Sequence, residues 1–497
     1  MLVANDVRLD SRVQKAAYSA AEAGYDVLLL GYEPSRKGRP SRPAFIGAAQ
    51  VVRTGLHNKW QIAQWPLRDD GAPSLRMLPF RALSFAASVD YRLRRRIVQR
   101  IKEPGTGDGS VKHRAKELLW KAYFRDGDWR RTARHLLWLE ASWAALIEEF
   151  EPDLIHAHDM HTPGIAVRVA ERLAKQGKRR PKVLYDAHEF VAGVSMPEQR
   201  RLAYVGLEGE YVREADAVIT VSPLLAQWLQ DRYHLAETPG VVANAPMLHV
   251  PGDEPVEADT AAAAEDTEAD TDTDTEADTA APDDAPSLRK ACGLADGVPL
   301  LVYSGAVSPM RGIATMVEGL PELPDVHMAV VRGADTEFTR ALEKQAEELG
   351  VRDRLHLVGY VAPHLVPQYL ASADIGVIPI LHTPNHEVAL ITKYYEYMHA
   401  KLPIVVSDVQ AMADFTRDLG NGEVFTAGDA HEYAQAVAKV LADRAGYAAR
   451  YTDDLLAANS WEGQAEALSA VYARLLGGTP EPRTGVRAFG ETDAPSA

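Results

Sequence analysis

Residues 374–408, with the sequence DIGVIPILHTPNHEVALITKYYEYMHAKLPIVVSD, decide the fold class. An apolar run over 375–378 predicts a buried strand, which Pro379 ends. A polar loop follows, and residues 392–398 have the spacing of a helix. A second apolar run over 403–407 predicts the next strand. Strand, helix and strand together predict a βαβ crossover, whose helix begins at the carboxyl edge of a parallel sheet.

The predicted helix begins with a lysine and carries a glutamate one turn later. A helix N-terminus offers free N–H groups and partial positive charge, which suit a phosphate group. Lys393 adds a full positive charge, and Glu396 supplies a carboxylate that can accept hydrogen bonds from ribose hydroxyls. The pattern therefore indicates a nucleotide-sugar site. The alternative is that Lys393 and Glu396 form an ordinary i,i+3 ion pair on a helix surface.

The overall composition is that of a globular protein without disulfides. The 497 residues are 46% hydrophobic and 25% charged, and Cys292 is the one cysteine. A single cysteine excludes an intramolecular disulfide and fits a reducing compartment. No apolar run approaches the roughly 18–20 residues of a spanning helix, and residues 1–12 lack the features of a signal peptide. We therefore expect a cytoplasmic protein.

The net charge of −16 comes from one acidic segment. Residues 253–284 contain 14 Asp and Glu and no Lys or Arg, and without those 14 charges the net charge is −2. Residues 251–286 repeat acidic residues with alanine and threonine, so they cannot bury enough apolar surface to fold. We predict a disordered linker there. We attribute the Asp-Thr-Asp-Thr-Asp run at 270–274 to the biased composition of this segment and do not interpret it as a metal site.

Strand and helix patterns alternate on both sides of this linker. In the first half, a short strand over 1–7 and a helix over 12–24 precede a strand over 26–30, and later strands end at His158-Asp159 and at His188. Polar residues that follow parallel strands lie at the edge where open α/β folds bind ligands. In the second half, strands are predicted over 300–304, 326–332 and 355–358, with helices over 314–320, 336–349, 366–372, 430–442 and 461–476.

These patterns divide the chain into predicted domains. We expect an N-terminal Rossmann-like domain over 1–250 that contains a basic helical insertion at about 91–140. A second Rossmann-like domain over 287–452 follows the linker at 251–286. Residues 453–477 are predicted to form a C-terminal helix that crosses back to the N-terminal domain, and 478–497 a disordered tail.

The basic insertion admits two interpretations. Residues 91–135 contain 14 Lys and Arg against 5 Asp and Glu, interleaved with aromatic side chains. Such a stretch can lie on an anionic membrane, which would place the protein peripherally at the inner face. The alternative is a pair of solvated helices packed on the domain. No nucleic-acid partner is expected, because no recognised binding motif accompanies the charge.

Short motifs occur in both halves of the chain, at residues 10–13 (DSRV), 154–159 (LIHAHD), 185–189 (YDAHE), 215–222 (ADAVITVS), 244–246 (NAP), 303–305 (YSG), 311–312 (RG), 392–396 (TKYYE) and 460–461 (SW). In order and spacing, these motifs resemble the retaining glycosyltransferase family 4 group. The resemblance implies the GT-B fold: an α/β protein with two doubly wound Rossmann-like domains facing across a cleft and a C-terminal helix crossing back. It implies that the domain over 1–250 binds the acceptor and that the domain over 287–452 binds the donor.

The resemblance also implies roles for individual residues. It makes His188, Arg311, Lys393 and Glu396 the catalytic candidates. It assigns donor binding to Gly305, Arg311, Gly312, Gly333, Tyr360, Thr392, Lys393 and Glu396. It assigns the acceptor side to Arg12, His158, Asp159 and His188.

Two positions depart from the family pattern. Members usually carry a basic residue after the glycine of the donor loop, and here that residue is Ala306. Members commonly have two glutamates eight residues apart. Here Glu396 matches the second, but the position of the first is occupied by Val388, one place after Glu387. Lys393 is expected to supply the missing charge.

The implied reaction moves a sugar from a nucleoside diphosphate sugar to the hydroxyl group of a glycan, a lipid-linked glycan or a small metabolite. The nucleotide sugar is a co-substrate, and no cofactor or metal is expected, because cationic side chains can hold the diphosphate. Two alternatives remain: a GT-B sugar-nucleotide epimerase or hydrolase, and a non-catalytic nucleotide-sugar-binding protein.

Overall fold

The computed structural model describes residues 1–8, 10–36, 40–57, 78–100, 111–112, 114–116, 118, 128–248, 287–333, 335–362 and 365–480. The chain forms two compact units, which we call unit 1 (Met1–Val242 with Ala467–Ala497) and unit 2 (Ala243–Glu466). The predicted linker at 251–286 lies outside the described residues, as do much of the basic insertion and residues 481–497 of the predicted tail.

Unit 1 is an α/β unit. Its described strands are β1 (Leu28–Tyr32), β2 (Ala44–Ile46), β3 (Ala49–Thr54), β4 (Leu154–His158), β5 (Lys182–Ala187), β6 (Ala217–Thr220) and β7 (Gly240–Val241). Its described helices are α1 (Ser11–Glu22), α2 (Leu78–Arg100), α3 (Trp129–Thr132), α4 (His135–Phe150), α5 (Pro163–Lys175), α6 (Glu198–Tyr211) and α7 (Pro223–Tyr233).

Leu2 stands at the middle of the sheet in unit 1. Strands β1, β3 and β2 pair in that order, and so do β4, β5, β6 and β7. Leu2 forms parallel bridges with Leu30 in β1 and with Ala157 in β4, so it lies between the two groups. The predicted strand over 1–7 is thus reduced to a bridge, because the chain turns beyond it, where the Asn5 side chain accepts a hydrogen bond from the Val7 N–H at 2.9 Å.

Unit 2 alternates strands and helices. Its described strands are β8 (Leu300–Ser304), β9 (His327–Val331), β10 (Leu355–Val358), β11 (Ile375–Ile378), β12 (Ile404–Ser407) and β13 (Gly422–Phe425). Its described helices are α8 (Leu288–Ala291), α9 (Ile313–Gly319), α10 (Glu337–Glu348), α11 (Val366–Leu370), α12 (Pro384–Val388), α13 (Thr392–His399), α14 (Gln410–Leu419), α15 (Ala430–Ala442), α16 (Arg444–Ala448) and α17 (Asp453–Ala458). A final helix, α18 (Trp461–Leu476), contains the boundary between the units.

The sheet of unit 2 has a doubly wound strand order. Among the described residues its strands run β10-β9-β8-β11-β12-β13, and each neighbouring pair is parallel. The chain therefore moves outward in one direction from β8 and in the other direction from β11. In such sheets, ligands bind at the carboxyl ends of the two strands where the order reverses.

Helices cover both faces of the sheet in unit 2, which explains the continuous apolar runs of its strands. One core cluster contains Val302, Ile378 and Tyr394, and the other contains Leu301, Val377 and Val437. Alternate side chains of β8 and β11 thus enter opposite clusters. The elements predicted from residues 374–408 are present with boundaries shifted by a residue at most. Within the described part of the chain, no helix combines the length and apolarity needed to cross a membrane.

Candidate active site

The candidate donor site lies at the carboxyl edge of β8 and β11, where the strand order of unit 2 reverses. The loop that follows β8 begins at Gly305, and the loop that follows β11 leads through α12 to α13. These two loops are neighbours because β8 and β11 are paired strands. The residues predicted to hold a diphosphate therefore come from adjacent segments of unit 2.

Gly305 and Lys393 are in direct contact. The backbone of Gly305 has a φ of 120°, and its N–H donates to the carbonyl of Val331 at 3.0 Å. A β-carbon at Gly305 would overlap Cε and Nζ of Lys393. Lys393 is largely buried, and its Nζ lies 5.7 Å from the centre of the Tyr303 ring. A glycine suits this position because its φ of 120° is one that L side chains rarely adopt.

A second glycine brings the Arg311 segment to the end of β11. Gly312 has a φ of 68°, and a β-carbon there would overlap the carbonyl oxygen of Pro379. Next to it, the N–H of Leu381 donates to the carbonyl of Met310 at 3.0 Å. Arg311 ends the short 3₁₀ helix Pro309–Arg311. Among the described residues, the Arg311 guanidinium has no ion pair or hydrogen bond, which leaves its charge available to an anion.

The start of α13 is fixed by contacts within unit 2. The side-chain amide of Asn244 donates to Oγ1 of Thr392, the first residue of the helix, at 3.1 Å. The Tyr397 hydroxyl accepts the N–H of Ser304 at 3.0 Å and donates to the carbonyl of Val302 at 3.2 Å. Glu396 lies on the same helix one turn after Lys393 and is half-buried. The helix N-terminus is therefore tied to β8 and to the Asn244 segment.

The remaining predicted donor residues also follow strands of this sheet. Gly333 comes after β9, and its carbonyl accepts a hydrogen bond from Nη1 of Arg332 at 3.1 Å. Tyr360 comes after β10 and packs on a core cluster of unit 2. Both residues thus follow the carboxyl ends of strands on the β8 side of the sheet. The structure brings Gly305 and Lys393 into contact. It places Gly333 in the loop after β9 and Tyr360 in the loop after β10.

Sequence reasoning missed a histidine bridge at this edge. Nδ1 of His382 lies 2.5 Å from Oε1 of Glu387, and Nε2 lies 2.9 Å from Oδ1 of Asp408. Glu387 also accepts the N–H of Gln410 at 2.9 Å, and Asp408 accepts the N–H of Ala427 at 2.9 Å. The hydrogen bond that His382 donates to the Glu387 carboxylate raises the pKa of His382. Three loops at the carboxyl edge are thereby joined through one imidazole.

Three of the four candidate acceptor-side residues of unit 1 contact a single carboxylate, that of Asp186. Nε and Nη2 of Arg12 donate to its two oxygens at 2.9 and 2.8 Å, and Nη1 donates to the carbonyl of Val242 at 2.7 Å. His158 Nδ1 and His188 Nε2 each lie 3.2 Å from Oδ2 of Asp186. Arg12, His158 and Asp186 are buried, whereas His188 keeps 17% of its side chain exposed.

The environment shifts the pKa values of His158 and His188 in opposite directions. Burial and the neighbouring His156 hold the pKa of His158 well below its usual value, so its imidazole is neutral at pH 7. Burial also disfavours a charge on His188, but attraction to the Asp186 carboxylate outweighs it and raises the pKa of His188. The Arg12 guanidinium holds the pKa of Asp186 well below its usual range, although burial acts in the opposite direction. Of these groups, His188 is the one suited to donate a hydrogen bond.

Asp159 follows β4 and faces a different neighbour. It has a left-handed backbone with a φ of 65°. One carboxylate oxygen accepts the N–H of Met160 at 2.6 Å, and the other lies 3.0 Å from Nδ1 of His161. Burial works against ionisation, but His161 and His188 lower the pKa of Asp159 to about 2. Asp159 is therefore an ionised carboxylate at the same sheet edge.

One group of possible metal ligands occurs in the described part of the chain. Ligand atoms of His156, His158 and Asp186 lie within 4.8 Å of one another and are buried. The group is poorly suited to a cation, because Arg12 already bonds both oxygens of Asp186. Nδ1 of His156 lies 2.7 Å from the hydroxyl of Tyr472. The Arg12 guanidinium thus takes the carboxylate oxygens that a metal ion would need.

The residues that the sequence analysis overlooked are Asp186, His156, Tyr472 and His382. A signal for Asp186 was present: it stands two residues before His188 in an extended segment, and such residues share a face. No comparable signal exists for Tyr472, which comes from a helix more than 300 residues later in the chain.

Comparison with protein families gives one match in each half of the chain. Residues 108–245 match the family described as Glycosyltransferase Family 4, and residues 298–443 match the family described as Glycosyl transferases group 1. The second match contains the Gly305 loop and all of α13. Helix α2 lies outside both matches.

Named relatives share part of their length with this chain. A D-inositol 3-phosphate glycosyltransferase of Xylanimonas cellulosilytica is 29% identical over 194 residues, 38% of this chain and 45% of the relative. An uncharacterized glycosyltransferase of Methanocaldococcus jannaschii is 27% identical over 158 residues, 32% of this chain and 39% of the relative. The chain thus spans less than half the length of these relatives.

Solved structures share the fold over almost the whole chain. Sucrose-phosphate synthase from Thermosynechococcus elongatus superposes with a TM-score of 0.57 at 16% identity, covering 94% of this chain and 92% of that one. An α,α-trehalose-phosphate synthase (UDP-forming) from Burkholderia vietnamiensis gives 0.52 at 14% identity, covering 95% and 98%. The predicted GT-B fold class is confirmed. A Family 4 match over residues 108–245 and a group 1 match over residues 298–443 thus lie on a chain with the GT-B fold.

Proposed function

We propose that this protein is a retaining glycosyltransferase that moves a sugar from a nucleoside diphosphate sugar to an acceptor hydroxyl group. The observation that carries the proposal is the contact of Lys393 with Gly305 at the point where the strand order of unit 2 reverses. That contact places an ammonium group beside a glycine loop and a helix N-terminus. All three features favour the binding of a diphosphate.

The difficult step of such a reaction is departure of the diphosphate from the anomeric carbon. A new bond forms between that carbon and the acceptor oxygen, and the hydroxyl proton is released with the nucleoside diphosphate. Fixed positive charge near the leaving oxygens lowers the barrier. Lys393, Arg311 and the N–H groups at the start of α13 supply that charge in our proposal. Glu396 accepts hydrogen bonds from the ribose.

In unit 1, we propose His188 as the group that bonds the transferred sugar or the acceptor. Attraction to Asp186 raises its pKa and so favours the protonated form that donates hydrogen bonds, and it is the most exposed member of the Asp186 cluster. Arg12 and His158 are proposed to support it through Asp186. Asp159 remains an acceptor-side candidate, since its ionised carboxylate can accept a hydrogen bond from a sugar hydroxyl.

The proposal includes neither a metal nor a redox cofactor, because protein cations can neutralise the diphosphate. We place the reaction in the cytoplasm, since a single cysteine suits a reducing compartment. Polysaccharide biosynthesis is one setting for it. We also propose peripheral contact with an anionic membrane through the basic stretch at 91–135, of which residues 101–110, 113, 117 and 119–127 lie outside the described residues.

A donor-hydrolysis screen across UDP-, GDP- and ADP-sugars tests the enzymatic proposal. We expect slow release of nucleoside diphosphate from one donor class, with no requirement for added phosphate or metal. Lys393→Ala should lower the rate on the order of 10²–10³-fold, the usual cost of removing one group that stabilises developing charge. Lys344→Ala, which changes an exposed lysine of α10, is the matched control.

Calorimetric titration with nucleoside diphosphates separates the alternatives. Binding without donor turnover would favour a non-catalytic nucleotide-sugar-binding protein. Conversion of the donor to an isomeric nucleotide sugar would favour an epimerase. Absence of binding to UDP, GDP and ADP would contradict all three functions.

A further inference from the structure

Four large apolar side chains of helix α2, those of Leu83, Phe85, Val89 and Leu93, are exposed to solvent. Six of the ten exposed large apolar residues in the described part of the chain lie between positions 83 and 118: Leu83, Phe85, Val89, Leu93, Val111 and Leu118. Phe85 is 67% exposed and Leu93 is 57% exposed. Such a concentration on one segment marks an interaction surface, because scattered single residues are the normal pattern.

Except for Leu83, the exposed residues of α2 recur every three or four positions and so share one side of the helix. We call this side the outer face of α2, and it consists of Ala82, Phe85, Ala86, Val89, Arg92, Leu93 and Arg96. Ser84, on another side, is buried, and Asp90 is held by Arg134 at 3.4 Å. Among the side chains of α2 that the structure describes, the large apolar ones other than Leu83 therefore lie on the outer face, and the buried one, Ser84, is polar.

The charge of α2 indicates what covers the outer face. The helix contains six arginines and one aspartate. Arg92 and Arg96 are exposed on the outer face itself, next to Val89 and Leu93. Arginine can extend its guanidinium to phosphate groups while its stem remains beside apolar groups. A surface that is anionic at its boundary and apolar below it matches this pattern, and an anionic lipid bilayer is such a surface.

The dimensions of the outer face fit a helix that lies in the plane of a membrane. From Ala82 to Arg96 the face extends about 21 Å at 1.5 Å per residue. It is too short and too charged to span a bilayer. An interfacial helix requires one apolar side with basic residues at its margin, and length is not a requirement.

We propose that the outer face of α2 docks this protein on an anionic lipid surface. The proposal deepens the membrane contact proposed above for residues 91–135. The outer face begins at Ala82, nine residues before that stretch, and the charge of the stretch does not predict it. The docking proposal does not depend on sugar transfer. Because α2 lies outside both family matches, the inference rests on the residues of this chain.

Flotation of the full chain with lipid vesicles tests the proposal. We expect binding to vesicles of phosphatidylcholine with roughly one third phosphatidylglycerol, and little binding to phosphatidylcholine alone. Salt of about 0.5 M should weaken binding by screening the arginines. Arg92→Gln should lower the vesicle partition coefficient about fivefold, the share of one basic residue near the surface.

Two apolar substitutions provide a matched comparison. Leu93→Ser should reduce binding to the anionic vesicles more than tenfold, since it removes a side chain that enters the apolar layer. Leu349→Ser changes another exposed leucine, in unit 2, and should leave vesicle binding unchanged. Equal binding by the two variants, or no binding by the unaltered chain, would overturn the proposal.

Two further measurements identify the reason for a failure. If sedimentation shows a dimer that Leu93→Ser dissociates, and the vesicles do not bind, a second copy covers the outer face and the lipid proposal is wrong. Nucleoside diphosphate titration of the same samples reports on unit 2 alone. Loss of vesicle binding with nucleotide binding intact contradicts the docking proposal only, and the opposite result contradicts the proposed function only.

Discussion

The ammonium group of Lys393 lies against the backbone of Gly305, in space that a β-carbon at Gly305 would fill. The two residues are 88 positions apart, and they meet because β8 and β11 are paired where the strand order of unit 2 reverses. A charge at the first turn of α13 is thereby held beside the loop after β8. The donor half of the candidate active site depends on this contact.

Gly305→Ala should weaken nucleoside diphosphate binding by about tenfold to a hundredfold, because the methyl group displaces Lys393 and removes a charged hydrogen bond worth about 1.5–3 kcal/mol. Calorimetric titration measures the change. Gly350→Ala is the control: Gly350 also has a positive φ, of 69°, but nothing lies within 4 Å of its β-carbon position. If both variants bind the nucleotide equally well, Lys393 does not reach the diphosphate.

Asp186→Asn should destabilise the protein by about 3–5 kcal/mol, because it leaves the buried guanidinium of Arg12 without its counter-charge. Chemical denaturation measures this loss. The exposed pair of Asp153 with Arg179 supplies the control, and Asp153→Asn should change the stability by less than about 1 kcal/mol.

The same substitution should lower the pKa of His188, since attraction to Asp186 is what raises it against the effect of burial. Titration of the His188 imidazole by NMR, in Asp186→Asn protein that remains folded, checks the direction. An unchanged or higher pKa would show that Asp186 does not set the protonation of His188.

Glu208 should make the stability of the protein fall as pH rises. Burial raises its pKa to about 7, although the hydroxyls of Tyr185 and Tyr233 donate to its carboxylate at 2.7 and 2.6 Å. Because the pKa in the folded state exceeds the ordinary value of 4.5, the folded state is favoured below pH 4.5, and this advantage is lost as pH rises to about 7. The change amounts to about 3 kcal/mol.

Glu208→Gln should therefore flatten the dependence of unfolding free energy on pH between 4.5 and 7. Glu347→Gln, which changes an exposed glutamate of α10, should preserve the wild-type dependence. Denaturation curves at several pH values measure both. Parallel curves for wild-type and Glu208→Gln protein would mean that the carboxyl group titrates normally.

His382 should order the carboxyl-edge loops of unit 2 more strongly at acid pH. Its pKa is raised by Glu387, so the protonated form that bonds both Glu387 and Asp408 is favoured below pH 6.5 and lost as pH rises through the folded-state pKa. Since the imidazole is half exposed, the effect on stability should be below about 1 kcal/mol.

Hydrogen exchange provides the measurement for His382. His382→Gln should speed exchange of the N–H groups of Gln410 and Ala427, which bond the two carboxylates, at pH 6 more than at pH 8.5. His399→Gln, at the end of α13, is the control. Identical exchange in wild-type and His382→Gln protein at pH 6 would show that the hydrogen bonds of His382 do not order these loops.

Local sequence patterns predicted the strands and the helix around the candidate donor site well. The crossover from β11 through α13 to β12 is readable because continuous apolar runs mark buried parallel strands and a polar loop precedes the helix. Lys393 and Glu396 then follow from their places in the first turns of that helix. The unit 1 cluster was only partly predicted: His158 and His188 follow strands, but Asp186, the group that joins them to Arg12, was missed.

By itself, the sequence determined the elements, their alternation and the residues that stand at strand ends, because these depend on the spacing of neighbouring residues along the chain. Only the tertiary structure decided that Gly305 meets Lys393, that Tyr472 meets His156, and that the outer face of α2 is exposed. Each of these depends on which strands pair and on which side of a helix packs, and those choices are made by the burial of distant segments against each other.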